Sequence, residues 1–376
     1  MNLNILLLGL TSLITDASSE MIAPILPMFI ASLGGSALAI GLIGGLGDCL
    51  AALLNVLSGW FSDKIGKRRA IVGWGYGLSA IAKLLYPVAS SWASMLLLRP
   101  LERVGKGIRD APRDAIIARS MRISKRGKGF GVHRALDTLG AILGSILAFL
   151  LIWTFALGFQ PILWLAAVIA FFALIPLIWV KDVPTRPVSY SLFKGIAKIP
   201  TKAKAFIAVS GIFGLANFTY MLFIIRAQAV FPSQFSILGP IGLYIIFNLV
   251  YAMASIPAGM LSDKFGRKYV IALGWATFAI VCLGFSFTKN LILYAILFAL
   301  YGLSFAFTVG NQRAYVADLS ANLKGTGLGL FHTATAFATL IGSIIAGVLW
   351  QAISPEFAFL YGSALAIVAL IGLVKC

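Results

Sequence analysis

Apolar residues run along this chain in long stretches, each closed by a charge cluster or a Gly/Pro break. A helix needs about 20 mostly apolar residues to cross a hydrocarbon core roughly 30 Å thick. Cut at those breaks, the chain gives twelve such segments: 5–33, 38–61, 70–91, 93–118, 130–153, 161–180, 205–230, 238–261, 270–288, 290–317, 327–351 and 356–375. The pattern predicts an all-α membrane protein with twelve transmembrane helices. The fourth and fifth segments are the weakest by hydropathy, because they carry charge inside the span.

The connections alternate in character. Lys64, Lys67, Arg68 and Arg69 follow the second segment; Arg119, Arg122, Lys125, Arg126 and Lys128 follow the fourth; Lys181, Arg186, Lys194, Lys198, Lys202 and Lys204 follow the sixth. Lys264, Arg267 and Lys268 come after the eighth and Lys324 after the tenth, whereas the intervening loops hold only Lys289. Cations collect on the cytoplasmic side of membrane proteins. Both termini are therefore expected in the cytoplasm, with the chain multi-pass in the inner or plasma membrane.

Composition agrees. The chain is 60% hydrophobic and only 11% charged, with a mean hydropathy of +0.97, too little charge to cover a soluble domain of 376 residues. A net charge of +18 would suit a nucleic-acid partner if it lay on one soluble face. Here it is spread over loops as an orientation signal, so no nucleic acid is expected. Cys49, Cys282 and Cys376 are too far apart in sequence to suggest a disulfide framework or metal cluster. The apolar stretch Met1 to Leu10 lacks a basic leader and runs into Asp16 and Glu20, so it is expected as a retained first span. No phosphate loop, metal triad or nucleophile elbow is present. An ATP-driven pump, a membrane enzyme and a cofactor are thus disfavoured.

The longest polar connection, 181–204, contains Pro184, Pro187 and Pro200 and divides the helices into bundles at 1–180 and 205–376. It is expected to include a short amphipathic piece on the inner membrane surface. An internal repeat supports the division. Gly59-Trp-Phe-Ser-Asp63-Lys-Ile-Gly66-Lys-Arg68-Arg recurs as Gly259-Met-Leu-Ser-Asp263-Lys-Phe-Gly266-Arg-Lys268-Tyr, an offset of 200 residues that Arg113 and Arg313 keep. Gly127-Lys-Gly129-Phe-Gly131 and Gly144-Ser145 match Gly325-Thr-Gly327-Leu-Gly329 and Gly342-Ser343 at offset 198. The offsets describe two pseudo-symmetric six-helix bundles.

The duplicated loop resembles the signature loop of the major facilitator superfamily, and the resemblance covers the whole chain. It implies that Asp63 and Asp263 each contact an arginine on the neighbouring fourth or tenth helix and the start of a helix from the other half. Such a contact latches one of two states. The shared offset suggests the pairs Asp63–Arg113 and Asp263–Arg313; the plainer alternative is surface charge that orients the loop. Gly59, Gly66, Arg68, Gly259, Gly266 and Lys268 complete the latch. Three further matches resemble the drug/proton antiporter branch: Asp16 with Pro24-Ile-Leu-Pro27, Arg103-Val-Gly-Lys-Gly107, and Gly140-Ala-Ile-Leu-Gly144-Ser145, where Ser145 replaces a proline.

Ionisable groups inside spans cost about 2.5–3.5 kcal/mol each on insertion scales, so they tend to face a cavity or a partner. Asp16 and Glu20 share one helix face and raise each other's affinity for protons. His133 and Asp137 are one turn apart on the fifth segment, a spacing that suits a relay. These four are the proton-coupling candidates. The fourth segment carries a basic stripe, Arg99, Arg103, Lys106, Arg109 and Arg113, interleaved with Glu102, Asp110 and Asp114. Arg99, Arg103, Arg134, Asn217, Tyr220, Arg226, Asn248 and Tyr251 are candidates to line a substrate cavity. Asn217 falls near where the repeat would place Asp16. The alternative for most of these charges is an internally neutralised network.

The reading that follows is a secondary transporter using alternating access, with proton-coupled efflux of a small amphiphilic or cationic compound. The expected partners are that substrate, protons and lipid, and the expected state is a monomer. The alternatives are an organic-anion carrier with a basic cavity and, from another class, a transport-dead membrane sensor.

Overall fold

The computed structural model describes residues 2–121, 126–182, 196–320 and 323–375. Of the connection expected over 181–204, residues 183–195 lie outside this set, as do Arg122 and Lys125. Every described element is helical: α1 (Leu3–Ile22), α2 (Leu26–Ser32), α3 (Ala37–Ile65), α4 (Arg69–Leu85), α5 (Trp92–Arg119), α6 (Arg126–Phe155), α7 (Phe159–Phe172), α8 (Thr201–Ala216), α9 (Tyr220–Gln228), α10 (Leu238–Phe265), α11 (Arg267–Phe287), α12 (Leu291–Leu319), α13 (Lys324–Ala352) and α14 (Pro355–Lys375).

These form the twelve spans of an all-helical membrane fold. Ten are long and apolar enough to cross a bilayer on those grounds alone. The other two are α4, with 17 residues, and α5, which carries the charged stripe. The charge that weakens the fourth segment in sequence therefore sits in a continuous helix, while the fifth, α6, qualifies on apolarity alone.

Two spans are interrupted. Pro24 follows α1, and the chain turns through 23–25 before α2 resumes. Asn217 closes α8 with a non-helical ψ of 67°, and Thr219 starts α9 by accepting the Met221 N–H on its hydroxyl. Each bundle thus opens with a broken helix, and non-helical backbone at that depth persists only where protein groups satisfy it. Ser343 does so at the second break, its hydroxyl accepting the Thr219 N–H at 2.9 Å.

The chain divides into two compact units, residues 1–34 with 50–190, and residues 35–49 with 191–376. In the first, α1 packs on α6 and α7, and α4 on α5. In the second, α8 packs on α13 and α14, and α12 on α10 and α11. The opening half of α3 belongs with the second unit because its glycines leave no room: a Cβ on Gly41 would meet the Ser343 carbonyl, and one on Gly44 would meet Thr219.

Candidate functional site

Glycines bring α1 and α6 together. A Cβ on Gly140 or Gly144 would lie 2.8 Å from backbone atoms of Leu13 or Ala17. That approach seats Asp137 directly on α1. Ser12 donates its hydroxyl to Asp137 at 2.7 Å, Arg134 donates to the other carboxylate oxygen at 2.7 Å, and the Asp16 carboxyl faces the same group. Asp16 and Asp137 thus bring two carboxyl groups together across the seam. Arg134 is 66% exposed at its side chain, so it reaches Asp137 from the surface. His133 is buried one turn before Asp137, with its Nε2 unpartnered. Glu20 is half-buried one turn beyond Asp16, and its backbone carbonyl accepts from Ser145 at 3.4 Å.

A second set of charges lies between α4 and α5. Gly75 and Gly105 let these helices touch, and Ser79 donates to the Glu102 carbonyl at 2.9 Å. Arg99 and Glu102 form a buried pair at 2.7 Å. Arg109 donates to Ser79 at 2.9 Å and stacks over the Tyr76 ring at 4.2 Å. Lys83, fully buried, donates to Ser18 at 3.0 Å and Ser19 at 2.8 Å. Arg103 and Lys106 are half-buried on the same stripe.

The second unit repeats this packing without the charges. Gly342 meets Leu215 as Gly144 meets Ala17, and both residues shift by 198; Gly274 meets Ser304 as Gly75 meets Gly105, and both shift by 199. At those offsets Gly214 and Thr335 occupy the places of Asp16 and Asp137. Cys282, Phe298 and Tyr301 occupy those of Lys83, Arg99 and Glu102. The structural counterpart of Asp16 is therefore Gly214, not Asn217, which instead closes α8 at the break. Aromatic rings fill the vacated space: Phe223 stacks on Tyr301 at 4.4 Å, Phe247 lies 4.9 Å from Tyr301, and Tyr220 lies 5.7 Å from Tyr244. Tyr251 joins through Phe305 at 6.0 Å, with Asn248 half-buried on the same helix α10.

Arg226 pairs with Glu356 at 2.8 Å and donates to the Phe285 carbonyl at 3.2 Å, tying α9, α11 and α14 together near their ends.

The latch pairs are also redistributed. Asp63 binds the buried Arg68 at 2.6 Å, five residues on, and Arg113 binds Asp110 at 3.2 Å and Asp114 at 3.0 Å. Asp263 pairs with Arg267 at 3.4 Å, and Arg267 also binds Asp318. A partner within a turn or a short loop needs no movement of a second helix, and here it takes the charge. The backbone is left-handed at two loop glycines: φ is +77° at Gly66 and +95° at Gly266, a region that other L residues rarely enter. Arg68 also starts α4, where Asp182 accepts its backbone N–H at 3.1 Å. Lys268 donates to the Val374 carbonyl.

Two membrane-embedded charges escape the sequence argument. Lys83 is the lone cation of an otherwise apolar third segment, and that isolation was the available signal. Asp48 continues the Gly41-Gly44-Gly45 face of α3, where the glycines draw attention to packing.

Two bundles of six spans, built on one repeated packing plan and carrying ionisable groups in a membrane interior, define a membrane transporter. The chain belongs to the Major Facilitator Superfamily, whose family model matches residues 8–246 and 205–376. An uncharacterised MFS-type transporter of Methanocaldococcus jannaschii is 50% identical over 374 residues, 97% of this chain and 93% of that one. The multidrug resistance protein MdtH of Blochmanniella pennsylvanica is 25% identical over 280 residues, 73% of this chain and 67% of that protein. Among solved structures, a mutant of the nucleoside transporter NupG superposes with a TM-score of 0.86 at 15% identity, covering 99% of both chains. That last likeness speaks for the fold.

Proposed function

We propose that this chain is a proton-coupled secondary transporter that exports a small amphiphilic or cationic compound by alternating access. The observation that carries the reading is the Asp16–Asp137 pair, two carboxyl groups held face to face on a glycine-lined seam and steadied by Ser12 and Arg134. A site that gains or loses one proton inside a membrane is what coupling to a proton gradient requires. Gly214 and Thr335 at the matching positions of the second unit support seeking that chemistry in the first unit. The MdtH relative, a multidrug resistance protein, supports the export direction and the substrate class. The anion-carrier alternative loses ground because Arg99, Arg134 and Arg226 each hold a carboxylate at 2.7–2.8 Å. The basic loops favour cytoplasmic termini in a plasma membrane, and a monomer suffices for the site described.

The test is proton movement in liposomes with an internal pH dye and a panel of cationic and anionic compounds outside. Proton flux triggered by cations and reduced at least tenfold in Asp16→Asn and Asp137→Asn is expected. Flux triggered only by anions, unaffected by those variants but lost in Arg103→Ala, would replace this reading with an anion carrier. Silence across the panel from folded protein would favour the sensor.

A further inference from the structure

Asp48 is the acidic residue of the second unit that lies in the body of a span. Asp263 and Asp318 bind Arg267 near the ends of α10 and α12, and Glu356 binds Arg226 at the start of α14. Gly41, Gly44, Gly45 and Asp48 recur at helical intervals and so share one side of α3. The three glycines meet Ser343, Thr219 and Leu340. Asp48 is carried toward the same wall, where Tyr220 follows Thr219 and opens α9. It is half-buried there.

Aromatic rings make that wall. Tyr220 lies 5.7 Å from Tyr244, Tyr244 lies 5.8 Å from Phe247, and Phe247 lies 4.9 Å from Tyr301. The groups that bear electrostatically on the Tyr301 hydroxyl are Cys282, Tyr220 and Asp48, so the carboxylate and the rings share one locale. Tyr301 is 2% exposed, and its hydroxyl has no hydrogen-bond partner among the described residues. Buried polar groups are nearly always paired, so an orphaned hydroxyl beside a carboxylate calls for an explanation.

Helix α10 distinguishes the two sides of this wall. Leu249, Met253, Ile256 and Met260 form one exposed apolar side, which suits lipid. Tyr244, Asn248, Tyr251 and Ser255 form another at the same helical spacing. Asn248, Tyr251 and Ser255 are half-buried. Polar groups at membrane depth that keep some exposure face a cavity rather than lipid. The loop offset of 200 carries Asp48 to Asn248, as it carries Asp63 to Asp263 on the same two helices. A polar residue stands at this position in both copies, and the charge stands in one.

We propose that Asp48, Tyr220, Tyr251 and Tyr301 form the subsite for the charged end of the substrate, an organic cation that bears an aryl ring. The carboxylate answers the positive charge, and the ring faces hold both the cation and the aryl group. A cation that leaves water needs such partners, because burying it alone is costly. Two tasks then fall to different carboxylates: Asp48 serves the substrate, and the Asp16–Asp137 pair serves the proton. The proposal rests on the reading of this chain as an exporter of cationic compounds.

The test is binding, measured by equilibrium dialysis on purified full-length protein in detergent with no gradient. The probes are tetraphenylphosphonium, its anionic counterpart tetraphenylborate, and uncharged triphenylphosphine oxide. The parent is expected to prefer the phosphonium to the borate. Asp48→Asn weakens the phosphonium by on the order of tenfold and leaves the oxide within about twofold of the parent. Tyr251→Leu weakens both by about three- to tenfold. Parent-like binding of the phosphonium in Asp48→Asn overturns the proposal, and so does an equal loss of phosphonium and oxide, which would make Asp48 structural. In either case the export of cations stands. Unchanged binding in Tyr251→Leu removes the ring wall and overturns the proposal too. A parent that takes the borate instead, or none of the three probes, overturns the cation reading, and the proposal falls with it. Should Asp48→Asn fail to fold, Asp48→Ser takes its place with the same expected selectivity.

Discussion

The two units solve one packing problem with opposite materials. Both bring their fifth helix against their first through a glycine, Gly144 on Ala17 and Gly342 on Leu215, and both bring their third and fourth helices together at a small residue. Around that shared frame the first unit places Asp16, Lys83, Arg99, Glu102 and Asp137. The second places Gly214, Cys282, Phe298, Tyr301 and Thr335. The frame is thus a property of the fold, while the charges are a property of one copy. What differs between copies is where chemistry is to be sought, and what is common is what holds the helices.

That contrast can be broken or sharpened by substitution. The largest effect is expected from Glu102→Ala, which removes the carboxylate 2.7 Å from the buried Arg99 guanidinium. Removing one member of a buried pair costs about 3–5 kcal/mol, read as a large fall in thermal midpoint by fluorimetry in detergent. A midpoint near the parent's would mean that water already compensates Arg99. Next come Gly144→Val and Gly342→Val. Each drives a side chain into the backbone of the facing helix, and overpacking of this kind costs about 1–3 kcal/mol. Near-equal losses are expected if the frame is common to both units; a loss confined to Gly144→Val would make the second seam dispensable. The smallest effect belongs to Tyr301→Phe. The Tyr301 hydroxyl is buried without a hydrogen-bond partner, so its removal should leave stability within about 1 kcal/mol of the parent or raise it. A loss well beyond that would reveal a polar function in the aromatic unit.

Much of the frame was legible in the sequence. Segment lengths set by bilayer thickness gave the spans, and Gly66 and Gly266 marked a loop whose backbone needs positive φ in both copies. Partnership was not legible. Asp63 and Arg113 lie near the same end of neighbouring helices, yet Asp63 takes Arg68 and Arg113 takes Asp110 and Asp114, because rotation of a helix about its axis decides which charges meet. The loop offset of 200 carries Asp16 to position 216, next to Asn217, but along the seam the offset is 198 and the counterpart is Gly214, three residues before Asn217, which already lies past the end of α8. The partner of Arg226, Glu356, stands 130 positions away on α14 and was not legible either. Asp16 and Asp137 were separately conspicuous; only the glycine seam brings them together.

The partners of the first unit's embedded cations have an order in the chain that bears on how the protein is made. Arg99 finds Glu102 three residues later on its own helix, Arg134 finds Asp137 likewise, and Arg113 is flanked by Asp110 and Asp114. Lys83 depends on Ser18 and Ser19, which are synthesised before it. Each of these first-unit cations therefore reaches the bilayer together with the groups that bind it or after them, whereas Arg226 in the second unit has to wait for Glu356.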